Sequence, residues 1–168
     1  EAGVSLIEVL AALAIVALMG AIAVVMLDAR RTALDVSAER LTRALAEARQ
    51  EALLSGQVIG FSAAPDFRGW TFHEYRSGRW RVIAGHPALE TVRLPDGLTL
   101  EARAGAIAAR SEDASADIPQ VWFDPTGFDA PFTYMLADDD DYRIVVRLDD
   151  GRVRLGGDDI HALAEFDR

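Results

Sequence analysis

An uncharged run at 9–27, beginning just after the lone carboxylate of Glu8, limits what this chain can fold into. As a helix, those nineteen residues rise about 28 Å at about 1.5 Å each, close to the hydrocarbon thickness of a bilayer. An ionised group at mid-membrane costs about 2.5–3.5 kcal/mol on insertion scales. Glu8 stands about one turn inside the apolar face, so its charge needs either a wet surface or a partner. A secretory signal core is shorter, about 7–15 residues, and is followed by an A-x-A-like cleavage site. No such site follows here, and the run passes straight into a charged amphipathic stretch. We therefore read it as a retained anchor. Charge leaves the orientation open. Arg30 and Arg31 at the far flank would favour the cytoplasm, and a basic leader ahead of Glu1 would reverse that bias.

The helical pattern continues beyond the anchor. Between Thr32 and Leu54 there is neither Gly nor Pro. Leu34, Ala38, Leu41, Leu45, Ala48 and Ala52 recur at spacings of four and three, the stripe of an amphipathic helix. Asp35, Glu39, Arg40, Arg43, Glu47 and Glu51 form its solvated side. Ser55-Gly56 supplies a C-terminal stop. The spacing predicts one helix over 4–54, about 75 Å long.

After Gly56 the period shortens. Residues 58–62, 70–75, 80–83, 98–102, 121–123, 132–136, 142–148 and 152–155 read as strands. Ser77-Gly78 and Pro95-Asp96-Gly97 mark turns, and Asp149-Asp150-Gly151 closes the last hairpin as a two-residue Asp-Gly type turn. No second helix of comparable strength is evident. The expected fold class is α+β: a long N-terminal helix, its first half transmembrane, packed on an antiparallel β-sheet body.

Composition excludes several functions. The chain has 168 residues, a net charge of −10 and no cysteine. About 140 residues remain after the apolar run, enough for one modest core. Without Cys there is no disulfide framework, thiolate zinc site or Cys nucleophile. The acidic balance argues against a nucleic-acid binder, which would carry a basic patch, although Arg76, Arg79 and Arg81 could form a local basic face. No G-x-S-x-G elbow, P-loop or dinucleotide fingerprint is present. His73, His86 and His161 lie near no ligand set. Asp138 to Asp141 are four adjacent carboxylates without EF-hand spacing, read as a solvated hairpin loop rather than a metal site. Trp70, Trp80 and Trp122 alternate with apolar neighbours and read as core or half-core. Asp124-Pro125-Thr126-Gly127 reads as a tight turn. No catalytic residue, metal or cofactor is expected.

The N-terminal run Gly3-Val4-Ser5-Leu6-Ile7-Glu8-Val9-Leu10 resembles the motif of type IV pilins and pseudopilins. The later run Val121-Trp122-Phe123-Asp124-Pro125-Thr126-Gly127-Phe128, then Pro131-Phe132-Thr133-Tyr134-Met135-Leu136, is similar to the C-terminal half of the H-type minor pseudopilin of type II secretion. The resemblance implies cleavage by prepilin peptidase between Gly3 and Val4 and N-methylation of Val4, where the family most often has Phe or Met. It places the family glutamate at Glu8, which would pair with a neighbouring subunit's new amine and offset the cost of its own burial. Residues 1–3 become a leader remnant, 4–29 the membrane and filament-core half of the helix, 30–55 its amphipathic half, and 56–168 a periplasmic body. Ala11, Ala12, Ala14, Ala17, Gly20, Ala21 and Ala23 are small enough for close helix approach.

The function implied is that of a minor pseudopilin near the tip of the pseudopilus, anchored singly in the bacterial inner membrane. It would link the tip complex to the major pseudopilin and support export of folded proteins. Its partners would be other minor pseudopilins, the major pseudopilin, the inner-membrane assembly platform and prepilin peptidase, with no nucleic acid. Gly105, Ser111, Glu112, Asp113 and Asp117 belong to an Ala-, Ser- and acid-rich stretch without period, expected to touch a partner. Two alternatives stand beside it: a minor pilin of a type IV pilus that primes fibres or takes up DNA, and a membrane-anchored periplasmic enzyme or sensor, which would need a pocket with converging polar groups.

Overall fold

A computed structural model describes residues 6–104, 118–148 and 150–156, apart from the side chains at positions 8, 20–32 and 104. The chain divides into two compact units, Glu1–Ala33 and Leu34–Arg168. Helix α1 runs over Leu6–Ser55. In the first unit the described side chains up to Met19, Leu6, Leu10, Leu13 and Val16 among them, are exposed. Among the described residues no helix is long and apolar enough to cross a membrane. The sequence-based span at 9–27 passes beyond Met19 into side chains outside the described set.

The second unit begins with the predicted stripe. Leu34, Ala38, Leu41, Leu45, Ala48 and Ala52 are all fully buried, joined by Ser37 and Ala44. Each leucine contributes about 1.5–3 kcal/mol by leaving water. The helix ends where a positive φ is needed. Gly56 takes φ 68° and donates its N–H to the Ala52 carbonyl at 3.1 Å, while the Ser55 hydroxyl donates to the Glu51 carbonyl at 2.7 Å. A glycine meets that conformation without a Cβ penalty.

Two antiparallel sheets follow. The first is built from β1 (Ile59–Ala63), β2 (Gly69–Arg76), β3 (Arg79–Val82), β4 (Val92–Arg93) and β6 (Val121–Phe123), in the order β3-β2-β1-β6 with β4 on β2. The second holds β5 (Thr99–Ala104), β7 (Phe132–Ala137), β8 (Tyr142–Arg147) and β9 (Val153–Gly156), in the order β5-β7-β8-β9. The eight predicted strands are present, with ends shifted by one or two residues. β4 was not predicted: two residues carry no readable period.

Ser77 (φ 54°) and Gly78 (φ 79°) make a two-residue turn with both central residues left-handed, the type whose twist matches a hairpin. The last hairpin differs from expectation. Leu148 donates to the Arg152 carbonyl and Gly151 to the Leu148 carbonyl. Gly151 is therefore the positive-φ residue closing a longer loop, not the second position of a two-residue turn.

Aromatic rings fill the space between the sheets. Phe61 meets Phe72 at 5.2 Å and Tyr134 at 5.0 Å, and Phe132 meets Phe123 at 6.0 Å and Tyr134 at 5.7 Å. Gln120 ties the two layers. Its Oε1 accepts from the Ala63 N–H and the Tyr134 hydroxyl, both at 3.1 Å.

Candidate functional site

The motif residues fall largely outside what can be described geometrically. Gly3 and Val4 lie outside the described residues, and Glu8 lies on α1 with its side chain outside them. Gly105, Ser111, Glu112, Asp113 and Asp117 lie outside them, as does His161. The described body offers a charged junction beneath the helix, an exposed apolar corner, and a helix-flank groove.

The junction centres on Asp129, whose side chain is 1% exposed. Its Oδ2 faces Nη2 of Arg147 at 3.2 Å and Nε of Arg49 on α1 at 3.7 Å. Its Oδ1 accepts the Asp124 N–H, and its backbone carbonyl accepts Nη1 of Arg147 at 2.6 Å. Arg147 is 2% exposed, so its charge has left water and depends on this carboxylate. Gly151 completes the fit, because a Cβ there would come within 2.5 Å of the Arg49 guanidinium. Sequence reasoning missed this cluster. Its members are dispersed along the chain, and the one hint is an arginine ending the apolar Ile144-Val145-Val146 run.

The predicted tight turn sits beside it. Gly127 (φ 81°) donates to the Asp124 carbonyl at 2.9 Å. Asp124 Oδ1 accepts the Thr126 N–H at 2.8 Å and the Thr126 hydroxyl. The hydroxyl bond first, then the backbone bond, holds the Asp124 carboxyl below its ordinary range. The turn presents Phe128, 90% exposed, near Leu53 and Leu54 at the end of α1, which are also exposed. Gly127 lies against Leu53. These residues form an apolar corner.

A second helix–body tie runs through Arg143, which meets Asp35 at 2.8 Å and Asp141 at 2.9 Å. The loop from Asp138 to Asp141 is more ordered internally than a simple solvated run. Asp138 Oδ1 accepts the N–H groups of Asp140 and Asp141 at 2.9 and 2.7 Å. Among the described residues no three His, Cys, Asp or Glu side chains are grouped to hold a metal ion.

A groove of about 640 Å³ runs along the flank of α1, lined by Val36, Arg40, Arg43 and Glu47 opposite Trp70 and Val92. Trp70 is core, as expected, and Trp80 is half-buried. Trp122 departs from expectation at 38% exposed. It pairs with Gly60 on the face opposite Val121 and Phe123, which point inward. His86 stands 4.0 Å from Glu51.

A helix packed on two antiparallel sheets, with the sheets sharing an aromatic core, is the α+β pilin-like fold. The profile of the family described as Type II transport protein GspH matches residues 37–151, and the chain belongs to that family. It is similar to two structures of the minor pseudopilin EpsH from the type II secretion system of Vibrio cholerae. One is 26% identical with a TM-score of 0.62, covering 75% of this chain and 94% of that one. The other is 23% identical with a TM-score of 0.61, covering 74% and 96%. The fold is also that of the type IV minor pilin FimU of Pseudomonas aeruginosa, at 20% identity and a TM-score of 0.53, covering 76% and 90%. No curated protein sequence matches significantly.

Proposed function

We propose that this chain is a minor pseudopilin of the type II secretion pseudopilus that works near its tip, joining other minor pseudopilins to the major one below. The observation that carries this reading is the family match across the body at 37–151. The N-terminal motif supports it independently, since that motif lies outside the matched region. On this reading 1–3 is leader, prepilin peptidase cuts between Gly3 and Val4, and the new Val4 amine is methylated. Residues 4–29 hold the subunit in the inner membrane as a single pass, and 30–55 carry the periplasmic body at 56–168. During assembly through the inner-membrane platform, Glu8 takes the amine of a neighbouring subunit, and the two charges leave lipid together. The core of the described body is filled by its own aromatic rings, Phe61, Phe72, Phe123, Phe132 and Tyr134, which favours a structural part over an enzyme or sensor. Gly105, Ser111, Glu112, Asp113 and Asp117 are proposed to touch a partner. Deleting 105–117 should weaken binding to the other minor pseudopilins.

The test is the mature N-terminus and what it joins. Mass spectrometry of protein from secreting cells should find methylated Val4 as the first residue. Glu8→Ala should insert normally and fail to enter the pseudopilus. A mature chain that keeps Gly3, or a Glu8→Ala variant that assembles like wild type, would contradict the reading. The shared fold of FimU favours one alternative, a minor pilin of a type IV pilus, in which case the same variants would impair pilus fibres and leave export intact.

A further inference from the structure

Strand β3 forms an edge of the first sheet and pairs only with β2 among the described residues. The register fixes which of its backbone groups are unused. Ile83 donates to the Phe72 carbonyl at 2.9 Å, so in an antiparallel ladder Arg79, Arg81 and Ile83 turn their polar groups toward β2. Trp80 and Val82 turn theirs away from it. Two N–H and two C=O groups therefore line an open edge.

The side chains of that edge sort by face. Trp80 and Val82 share a face with Tyr75, Gly60 and Trp122 through the pairings Tyr75↔Trp80, His73↔Val82, Gly60↔His73 and Gly60↔Trp122. Around His73, this face leaves apolar side chains open: Val82 is 56% exposed, Tyr75 43% and Trp122 38%. Arg79 and Arg81 point to the other face and are exposed. Neither has a carboxylate within ion-pair distance among the described residues, whereas Arg76 has Glu74 at 3.6 Å. An unpaired positive edge is unusual on a chain of net charge −10.

We propose that the open edge of β3 receives an extended segment of a neighbouring pseudopilin, added as a further antiparallel or parallel strand. The proposal rests on the reading of the chain as a pseudopilus subunit. Strand addition draws affinity from main-chain hydrogen bonds and specificity from alternate side chains. The incoming strand is acidic where it faces Arg79 and Arg81 and apolar where it faces Trp80 and Val82. Cross-strand neighbours of opposite charge are favourable and like charges are not, so a basic strand is rejected.

The test exploits the lack of any cysteine in the chain. Arg76→Cys in the full-length protein supplies one thiol near the edge for a short photo-cross-linker, used in cells carrying the complete secretion machine. The expected product is an adduct with another pseudopilin of that machine. Val82→Pro removes an outward N–H without touching any β2–β3 hydrogen bond, as edge proline can. It should lower the adduct about three- to tenfold, as the loss of one backbone bond does. Val82→Thr keeps the N–H and should stay within about twofold. The double variant Arg79→Gln, Arg81→Gln, which removes both charges at exposed positions without setting a like charge opposite Glu74, should also lower the adduct. Undiminished adduct in both Val82→Pro and the double variant overturns the proposal, leaving the arginines as guards against edge pairing. So does absence of any adduct while Glu8→Ala still blocks assembly. If Glu8→Ala assembles normally, the underlying function fails and takes this proposal with it.

Discussion

At the scale of single residues the decisive group is Asp129. It faces two guanidinium groups, and Arg147 is nearly as deeply buried as the carboxylate itself. Removing one partner of a buried pair leaves an uncompensated charge, at a cost of about 3–5 kcal/mol. Asp129→Ala should lose that much in urea unfolding, and Asp129→Ala combined with Arg147→Met should recover part of it. A double variant no more stable than the single one would show that the junction is not an isolated pair. The neighbouring Asp124 offers a pH test. Its carboxyl is held below the ordinary 3.8 by the Thr126 hydroxyl and N–H. A depressed carboxyl stabilises the fold above its unfolded pKa and loses that contribution as pH falls through the folded one. Thr126→Val should move Asp124 back toward 3.8 in a carboxyl NMR titration and shrink the loss of stability below that pH. Tyr134 has the opposite sense. Burial pushes its phenol far above the usual range, so ionisation of the unfolded chain erodes stability as pH rises past 10. The turn that holds Asp124 is legible in sequence, but the Asp129 junction and the Tyr134 shift are not, because burial creates them and no spacing announces burial.

At the scale of elements the sequence speaks more clearly. The stripe from Leu34 to Ala52 is readable because helix period and burial coincide, and the structure buries each of its six members. Leu41→Ala should cost about 2–5 kcal/mol in the same unfolding assay. The hairpin β2–β3 is readable because Ser77-Gly78 is a turn between alternating strands. Trp122 is misread because alternation gives two faces and does not say which one is covered. Gly60 shows the same limit. A Cβ there would strike the Pro119 ring and come within 2.9 Å of Trp80 Cζ3, so the glycine exists to let those two side chains lie across β1. Gly60→Val should destabilise by about 1–3 kcal/mol and raise the solvent exposure of Trp80, seen as a red shift in fluorescence. Unchanged stability and emission would mean that Trp80 finds another seat. Gly69 has a backbone reason: a Cβ would meet the Val92 carbonyl, which allows β4 to pair so close to β2.

At the scale of the whole molecule, the family match and the resemblance of the N-terminal run point the same way. The match over 37–151 covers most of the body, and the run from Gly3 to Leu10 resembles the pilin processing and assembly motif. Their agreement supports the proposal that Glu8 enters a subunit-to-subunit ion pair. The burial pattern leaves an outer sheet face and the β3 edge open among the described residues, where the proposed partner strand would add. Net charge of −10 limits self-association of loose bodies through repulsion, so contact would be reserved for subunits of complementary charge.

Export by living cells tests the central claim most directly. Deleting the coding sequence should trap folded cargo in the periplasm, and expression of wild-type chain should restore its release while Glu8→Ala should not. Normal release from the deletion strain, with loss of type IV pilus fibres instead, would contradict the account and move the chain to the pilus.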